Sequence, residues 1–415
     1  MVIYCDVDLQ RKKGNTLMKI TIRDFGPIKN YEVDLNKKFI VNYGLNNIGK
    51  SCAMNVIYLL IRNLYRIVSS FPAIIFSVEE FNNHPIFRDM KLNFNATFGR
   101  GNLSNKYSGK QLEIVLESES PFFYVVFGEK EGELCLTEVK YDFPPLTPEE
   151  QKISTALSLL PKCFGKHLVP HFIPASRLGL YQGFIRALAP TIAEISKIRG
   201  VLQNPYIPLP HLTVPVADYI ATLLHPNPFA PTELFQQKIM KIAEDIEKEL
   251  IDGDISFNEQ QQSFYYKPHN VAGEIGVEYA SSMVGELAPL VHIIRKLFTL
   301  PMESLFYEEP EAHLHPEKQA ILAEKLVCLS ELGISAMIST HSNYMFNKFN
   351  NFVLSGRLSC DDYLPILMEP TLEGSVSRVM EMDELGVLDE NFISTTEKLY
   401  DEREEIIEKL NGGRE

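Results

Sequence analysis

The apolar and polar positions of the chain change period several times, and each period predicts a different element. Residues 18–35 alternate apolar and polar side chains around a Gly26-Pro27 break, which predicts a β-hairpin. The apolar run 39–41 predicts a buried strand, and helical spacing over residues 53–67 predicts a helix after it. Because a strand, a glycine-containing loop and a helix form the setting of a phosphate-binding loop, the residues between the two elements carry the first functional hypothesis.

Strand-like runs separated by turn residues follow this helix, and they predict an antiparallel sheet rather than alternating strands and helices. The runs are residues 91–98, 111–117, 122–127 and 133–141. A capping threonine, Thr147, begins a predicted helix that reaches about Leu160, and residues 169–173 predict a short strand. Helical character returns at residues 182–197 and 231–250, on either side of a proline-dotted section at 204–231.

The last third of the chain alternates between strand and helix patterns. Runs at 263–267 and 276–279 predict two strands, and an apolar helix then reaches about Phe298. A strand at 304–307, a helix at 317–332 and a strand at 336–339 follow. The acidic segment 392–410 predicts a final helix that ends before Gly412-Gly413, with its charges on a solvated face.

The loop after the first buried strand fills the phosphate-binding pattern G-x-x-x-x-G-K-[ST] from Gly44 to Ser51. Its glycines free the backbone so that N–H groups can face a phosphate, and the following helix N-terminus adds positive potential. Lys50 is expected to reach the β- and γ-phosphates, and the Ser51 hydroxyl to bind Mg²⁺. The plain alternative is an ordinary strand-to-helix turn with a stray lysine. The predicted nucleotide-binding residues of this loop are Gly44, Asn46, Asn47, Ile48, Gly49, Lys50, Ser51 and Cys52.

The strand at 304–307 ends in the acidic run that such a loop needs as a partner. Glu308 is predicted on the metal side, and Glu309 is predicted to polarise the attacking water, because neighbouring strand residues alternate faces. The alternative is a solvent-exposed acidic turn. His341 follows the next short strand and is a candidate donor to a phosphate oxygen, although a structural histidine would fit the same place.

Composition restricts the class of protein. The 415 residues carry a net charge of −14, which argues against a broad nucleic-acid-coating surface but leaves room for a local basic groove. The six cysteines show no C-x-x-C spacing and fit a reducing compartment. No 18-residue apolar run and no secretory leader are visible, so we predict a cytoplasmic protein with no membrane partner.

The order GLNNIGKS, SSMVGEL, LFYEEPEAHLHP, ISTHS resembles the ABC-type ATPase heads of SMC, RecF and OLD-like proteins. The stretch EEPEAHLHP is similar to the Walker B and D-loop of the OLD-like branch, and FIPASR also resembles that branch. The resemblance covers roughly residues 18–355. It implies an α/β fold, an ATPase head with a phosphate-binding core sheet, an antiparallel β subdomain and a helical insertion. It also implies ATP and Mg²⁺ as cofactors.

The resemblance also divides the chain into four parts. They are an N-terminal extension (1–17), an N-terminal ATPase lobe (18–175), a helical insertion (176–262) and a C-terminal ATPase lobe (263–415). Heads of this class pair head to tail, so Ser281 or Ser282 would meet ATP bound to the other subunit, with Gly285 in the same signature. The signature lacks the usual Ser-Gly-Gly run, so which serine contacts phosphate stays open. Arg177 stands where a Q-loop would lie, and it is either a nucleotide contact or a structural ion-pair residue.

Three functions remain open at this point. The first is an ATPase that forms homo-oligomers and acts as the sensor or gate for a separate effector, a nuclease or a toxin. Standalone OLD-like ATPases resemble the ATPase subunits of Septu- and PARIS-type antiphage systems, which work with such an effector. About seventy residues follow His341, too few for the Toprim nuclease domain of OLD nucleases. The second is a RecF-like repair ATPase that clamps duplex DNA, and the third is a scaffold that binds ATP without hydrolysing it. The helical insertion, residues 182–250, is the candidate docking surface. The alternative is that its prolines and apolar residues near Pro205 pack on the head.

Overall fold

A computed structural model describes most of the chain, in segments. These are residues 18–69, 78–101, 103–119, 122–142, 169–183, 212–224, 233–296, 298, 303–383, 386–389 and 393–412. The predicted N-terminal extension, the helix that begins at Thr147, most of the 182–197 helix and the segment around Pro205 lie outside these residues.

The described segments contain helices and strands in mixed order. The strands are β1 (Met18–Phe25), β2 (Ile28–Asp34), β3 (Phe39–Gly44), β4 (Glu113–Glu119), β5 (Phe122–Lys130), β6 (Glu133–Asp142), β7 (Val169–Ile173), β8 (Gly253–Asn258), β9 (Ser263–Pro268), β10 (Ile275–Gly276), β11 (Glu303–Glu308), β12 (Ser335–Ser339), β13 (Tyr363–Thr371), β14 (Gly374–Val379), β15 (Met382–Asp383) and β16 (Gly386–Val387). The helices are α1 (Lys50–Ser69), α2 (Val78–Asn83), α3 (Pro85–Phe98), α4 (Arg177–Leu180), α5 (Val214–Leu224), α6 (Glu233–Ile246), α7 (Ser282–Lys296), α8 (Pro316–Glu331), α9 (Asn343–Leu354) and α10 (Ile393–Gly412). A π-helical turn, Glu247–Ile251, extends α6, and a 3-10 turn, Val277–Tyr279, precedes α7.

One large sheet organises the molecule. Its eleven strands lie in the order β6-β5-β4-β1-β2-β14-β13-β3-β12-β11-β7. Strands β13, β3, β12, β11 and β7 are parallel neighbours, whereas β2, β1, β4, β5 and β6 pair antiparallel. The predicted antiparallel part is therefore present, and it continues the core sheet through the parallel β2–β14 pair. Strands β8, β9 and β10 form a separate small sheet.

The core lies on both faces of the parallel strands, because successive side chains of a strand point to opposite faces. Phe39 and Val41 of β3 pack on the face covered by α6, α7, α8 and α9. Ile40, between them, packs on the other face with α1, α3 and the β1–β2 hairpin. The same alternation in β11 sends Tyr307 to the first face and Phe306 to the second. Strands buried on both faces read as continuous apolar runs, and this is why β3 and β11 are visible in the sequence.

Three sequence predictions need correction. Residues 91–98, predicted as a strand, belong to α3, because Phe87, Met90 and Phe94 recur at helical spacing and all three are fully buried. The proline-dotted section at 204–231 contains a helix, α5. The insertion was expected to be helical, but it also contains the strand β8, in which buried and exposed residues alternate around Ile255.

The described part of the insertion packs against the head. Asp218 of α5 accepts a hydrogen bond from the Tyr58 hydroxyl at 2.8 Å and from the Arg62 guanidinium at 2.9 Å, and both donors belong to α1. The helix that follows the phosphate-binding loop is therefore tied to the insertion by a half-buried polar cluster.

Candidate nucleotide-binding and hydrolysis site

The predicted site residues lie at one edge of the sheet because their strands are parallel. The phosphate-binding loop follows β3, His341 follows β12, Glu308 ends β11, and Arg177 follows β7. Ser339 of β12 is in register with Glu308 on one side and with Asn42 of β3 on the other. Ligands of open parallel sheets bind outside the carboxyl ends of the strands, which is where these residues meet.

The loop backbone adopts conformations that need glycine. Gly44 has a φ of +129°, and a Cβ there would lie 2.5 Å from the Met368 carbonyl oxygen of β13. Gly49 has a φ of +91°, and its Cβ would lie 3.0 Å from Pro27 of the hairpin turn. Asn47 also has a positive φ, 61°. The two glycines of the loop therefore lie close to β13 and to the Gly26-Pro27 turn, where a side chain would not fit without displacing its neighbours.

The loop side chains divide into exposed and buried ones. Asn46, Asn47 and Ser51 are exposed, whereas Ile48 packs into the core. Cys52 is half-buried, and burial raises the pKa of its thiol to about 12, so it is a packing residue. Of these predicted nucleotide contacts, Ile48 and Cys52 have only their backbone to offer.

Lys50 is folded back onto its own loop. Its ammonium donates hydrogen bonds to the carbonyl oxygens of Gly44 at 3.0 Å and Leu45 at 2.6 Å. Burial lowers the pKa of Lys50 to about 8, and the nearby carboxylates of Glu309 and Glu311 partly oppose that effect. Lys50 has two carbonyl partners and, among the residues that the structure describes, no carboxylate at salt-bridge distance, so it has charge left to offer a phosphate.

Ser51 and Glu308 are brought together as predicted. The Glu308 carboxylate is buried, and it hydrogen-bonds the Ser51 hydroxyl and the backbone of Ala175. Burial raises the pKa of Glu308, and these two hydrogen bonds oppose the rise. Its Oε1 atom is buried and has no hydrogen-bond partner among the described residues. A hydroxyl beside a carboxylate with an unused oxygen is a donor set that fits Mg²⁺.

Glu309 is held in a strained backbone conformation at the mouth of the site. Its φ is 43°, and its N–H donates to the Ser339 carbonyl at 2.9 Å. The side chain is 45% exposed, and Oε1 lies 3.9 Å from Nε2 of His341. Such strain persists where surrounding contacts over-determine the backbone, and it is common at functional sites. Glu309 therefore presents an accessible carboxylate beside His341.

His341 is linked to the phosphate-binding loop. Its ring hydrogen-bonds the backbone of Gly44. Burial and the neighbouring Lys50 charge lower the pKa of His341, while Glu309 opposes them, so the neutral ring is favoured at pH 7. The alternative of a purely structural histidine fits less well, since this ring lies between the loop and the acidic strand end.

Glu311 is a site residue that the sequence analysis did not single out. Its Oε1 accepts the backbone N–H of His341 at 2.6 Å, and burial raises the pKa of its carboxyl group. Oε2 is buried with no hydrogen-bond partner among the described residues. In the sequence, Glu311 could have been identified as the third acid of the run 308–311. The turn at Pro310, in which the Ala312 N–H donates to the Glu309 carbonyl, returns the chain to the site.

The signature residues lie at the N-terminus of α7. Ser281 and Ser282 are exposed, and the Ser281 hydroxyl accepts the Val284 N–H at 3.4 Å. Gly285 is buried, and a Cβ there would lie 2.6 Å from Cδ1 of Leu178 in α4. The main described packing partners of α7 are α4, α5, α6 and β8. The side chains of the two serines are exposed and accessible to another molecule, while Gly285 serves close helix packing.

Arg177 is fully buried and points to the backbone of the acidic strand end. Its guanidinium donates to the carbonyl oxygens of Glu308 at 3.0 Å and Glu309 at 3.3 Å. Nε lies 2.7 Å from Oε2 of Glu286 in α7. This arrangement supports the ion-pair alternative, because the guanidinium has no exposed surface for direct contact with a nucleotide.

The described residues contain no cluster of three or more His, Cys, Asp or Glu side chains able to hold a metal by themselves. A Mg²⁺ ion at Ser51 and Glu308 would therefore take its other ligands from phosphate oxygens and water, which is how Mg²⁺ is bound in most nucleotide sites.

Comparison with known proteins gives an ATPase family and a set of distant structures. The family model described as AAA ATPase domain matches residues 191–346, which is less than half of the chain. No curated protein sequence matches.

Similar solved structures include three head domains of SMC proteins. The SmcHead bound to the C-winged helix domain of ScpA is 12% identical, with a TM-score of 0.45 over 88% of this chain and 97% of that chain. The SMC head domain from Thermotoga maritima is 10% identical, with a TM-score of 0.40 over 88% and 99%. The Smc head domain with an extended coiled coil, bound to the C-terminal domain of ScpA derived from Pyrococcus furiosus, is 12% identical, with a TM-score of 0.45 over 94% and 100%.

The matched domain model and the site at the strand ends support an ATPase. The expected α/β fold class with a large central sheet is confirmed. Nucleotide binding, typically with Mg²⁺, is a property of the matched ATPase family. In the part of the chain that the structure describes, no helix is both long and apolar enough to cross a membrane.

Proposed function

We propose that this chain binds MgATP at the loop 44–51 and hydrolyses it, and that hydrolysis controls a separate effector protein. The observation that carries the ATPase part is the meeting of Lys50, the Ser51–Glu308 pair and the Glu309–His341 pair at the ends of three adjacent parallel strands. A chance acidic turn would not place one buried carboxylate on the loop serine and a second, exposed carboxylate beside a histidine.

Each residue has a distinct role in this proposal. Lys50 exchanges its two loop carbonyls for the β- and γ-phosphates, and the backbone N–H groups after Gly44 bind phosphate oxygens. Ser51 and Glu308 would hold Mg²⁺, which when bound would supply positive charge next to the phosphates. These contacts orient the γ-phosphate toward the open side of the site.

Glu309 is the proposed general base. Its exposed carboxylate takes a proton from the attacking water as the water oxygen bonds to the γ-phosphorus and the bond to the β-phosphate oxygen breaks. His341 donates a hydrogen bond to the γ-phosphate, and Glu311 fixes His341 through its backbone N–H. With its pKa lowered, the His341 ring is neutral and has one N–H, which in this proposal exchanges the Gly44 backbone for a γ-phosphate oxygen when ATP binds.

The proposed active unit is a head-to-tail pair of chains. Ser281 and Ser282 are exposed at a helix N-terminus, where hydroxyls, N–H groups and the helix dipole favour an anion. In a head-to-tail pair, these groups would complete the site of a second chain. We propose either serine as the phosphate contact.

The proposed effector is a nuclease or toxin encoded separately, held by the ATPase oligomer until phage infection. This part of the proposal is an analogy with Septu- and PARIS-type systems. The proposed compartment is the cytoplasm. The proposed partner surface is residues 182–250 of the helical insertion, whose described helix α5 is anchored on α1 through Asp218.

ATP turnover by Glu309→Gln tests the enzymatic part. Wild type should hydrolyse ATP in the presence of Mg²⁺, and Glu309→Gln should bind ATP while losing turnover by about 100-fold or more. The control is Glu317→Gln, which removes one charge from an exposed position in the same segment. Equal turnover by Glu309→Gln and wild type would reject Glu309 as the base, whereas ATP binding with no turnover by wild type would leave the ATP-dependent scaffold.

Co-purification with the product of the neighbouring gene tests the effector part. A large assembly whose partner is released or activated by ATP in wild type, but not in Glu309→Gln, supports gating. A free homodimer that binds duplex DNA only with ATP would instead support the RecF-like clamp, and its DNA affinity should fall steeply with salt.

A further inference from the structure

Arg177 contacts two parts of the head, and in the proposed pair of chains these two parts act on different ATP molecules. One part is the backbone at Glu308–Glu309, which carries the metal-side acid and the general base of this chain. The other is α7, whose N-terminal serines would meet the nucleotide of the partner chain. Arg177 contacts both, and it is fully buried between them.

The contacts to the strand end are made with carbonyl oxygens. Nη1 donates to the Glu308 carbonyl and to the Pro174 carbonyl at 3.1 Å, and Nη2 donates to the Glu309 carbonyl. The guanidinium plane also lies 5.0 Å from the ring centre of Tyr307. A planar group with several fixed donors can hold two successive carbonyls, which a lysine ammonium cannot do in the same geometry. Because Glu309 has a strained φ of 43°, these contacts help fix the peptide that aims its carboxylate.

The contacts to α7 are equally direct. The Glu286 carboxylate is 4% exposed, pairs with Nε of Arg177 and accepts the Leu178 N–H at 3.3 Å. One residue earlier, Gly285 packs so closely on Leu178 that a Cβ would lie 2.6 Å from its Cδ1. Helices α4 and α7 are thus joined by a buried ion pair, a hydrogen bond and a close packing contact. A shift of α7 would move Arg177 with it.

We propose that Arg177 is a positioning residue that couples α7 to the placement of Glu309, so that contact of Ser281 or Ser282 with the partner's nucleotide sets the general base of the same chain. The inference rests on the proposed head-to-tail ATPase. It makes hydrolysis at one site depend on occupancy of the other through the path Glu286–Arg177–Glu309. The coupled element is the strained peptide at Glu309, whose position depends both on α7 and on the end of β11.

Two substitutions break the path at different points and spare the nucleotide contacts. Arg177→Lys keeps the charge but loses the fork that holds both carbonyls. Glu286→Gln keeps the shape and an acceptor for the Leu178 N–H but removes the ion pair. The matched control is Arg295→Lys at the other end of α7, where Arg295 pairs with the buried Glu247 and donates to the Ile255 carbonyl at 2.9 Å.

The expected result separates turnover from binding. Arg177→Lys and Glu286→Gln should each lower kcat about 100-fold, since a shift of about 1 Å at a reacting group has that effect. The Kd for ATP should stay near the wild-type value, and the Arg295→Lys control should keep the wild-type kcat. The double variant Arg177→Lys/Glu286→Gln should be no slower than the worse single variant, because both act on one path.

Other outcomes overturn the coupling. Wild-type kcat in Glu286→Gln, or loss of kcat and ATP binding together in either variant, would make the pair a structural contact only. An equal loss in Arg295→Lys would have the same meaning. If Arg177→Lys does not fold, Glu286→Gln alone decides. Failure of the proposed function looks different: wild type itself would show no turnover, or Glu309→Gln would be as active as wild type.

Discussion

The charge of Lys50 should make ATP binding depend on pH in a range where lysines normally do not titrate. The burial of its ammonium against the loop carbonyls lowers its pKa to about 8 in the free protein. Phosphate charge in the complex favours the protonated form, so the complex keeps a proton that the free protein loses above pH 8. Affinity should therefore be full below about pH 8 and should fall as the pH rises through that value.

The size of the effect follows from the protonated fraction of Lys50. With a pKa of about 8, that fraction is about 0.9 at pH 7 and about 0.1 at pH 9. The Kd for ATP should then rise by about tenfold between these values, which corresponds to about 1.4 kcal/mol of binding free energy. The triphosphate completes its own ionisation at lower pH and adds little over this interval.

Calorimetric titration with ATP at pH 7, 8 and 9 measures the effect. Repeating it in buffers of different ionisation enthalpy reports the proton taken up on binding. The control is Lys50→Arg, whose guanidinium stays charged throughout and should give a Kd that does not change with pH. A flat wild-type Kd, or an equal fall in Lys50→Arg, would refute the assignment to Lys50.

Three further predictions address the loop, the metal and the histidine. Gly44→Ala should lower the free energy of unfolding in urea by about 3 kcal/mol or more, because its Cβ would meet the Met368 carbonyl at a φ of +129°. Gly101→Ala, which has open space around its Cβ at a φ of +74°, should lower that free energy by about 1 kcal/mol. Equal losses in the two variants would contradict the clash at Gly44. Ser51→Ala should weaken ATP binding about tenfold with Mg²⁺ and leave binding in EDTA unchanged, and a loss in both conditions would contradict a metal role. His341→Ala should reduce kcat about 100-fold without weakening ATP binding, as measured by stopped-flow turnover and equilibrium titration, and unchanged kcat would return His341 to a structural role.

The sequence predicts the parts of the site that depend on neighbouring residues. The loop 44–51 is recognisable because its glycines, lysine and serine stand at fixed offsets between an apolar strand and a helix. Glu308 and Glu309 are recognisable because they end a strand that is buried on both faces. Strand polarity then places both sets at one edge of the sheet, and the structure has them there.

The sequence does not predict features that depend on distant pairing. Arg177 donates to the Glu308 carbonyl across 131 residues, so no local pattern could choose between its two possible roles. The β2–β14 pair joins the antiparallel strands to the core sheet, and only tertiary contact specifies it. Residues 91–98 alternate like a strand, but Phe87, just before them, supplies the helical face that wins once it is buried with Met90 and Phe94.

Mixing two inactive variants tests the head-to-tail ATPase most directly. Lys50→Ala removes the phosphate-binding lysine and keeps the serines of α7, whereas the double variant Ser281→Ala/Ser282→Ala keeps the lysine and removes the serines. In a mixed pair, one site combines the intact loop of one chain with the intact serines of the other. The account predicts that, with MgATP, neither variant forms pairs by itself and an equal mixture forms mixed pairs, measured by size-exclusion chromatography with light scattering, since only a mixed pair holds one complete site. No pairs in the mixture, or wild-type pairing by the serine variant alone, would contradict it.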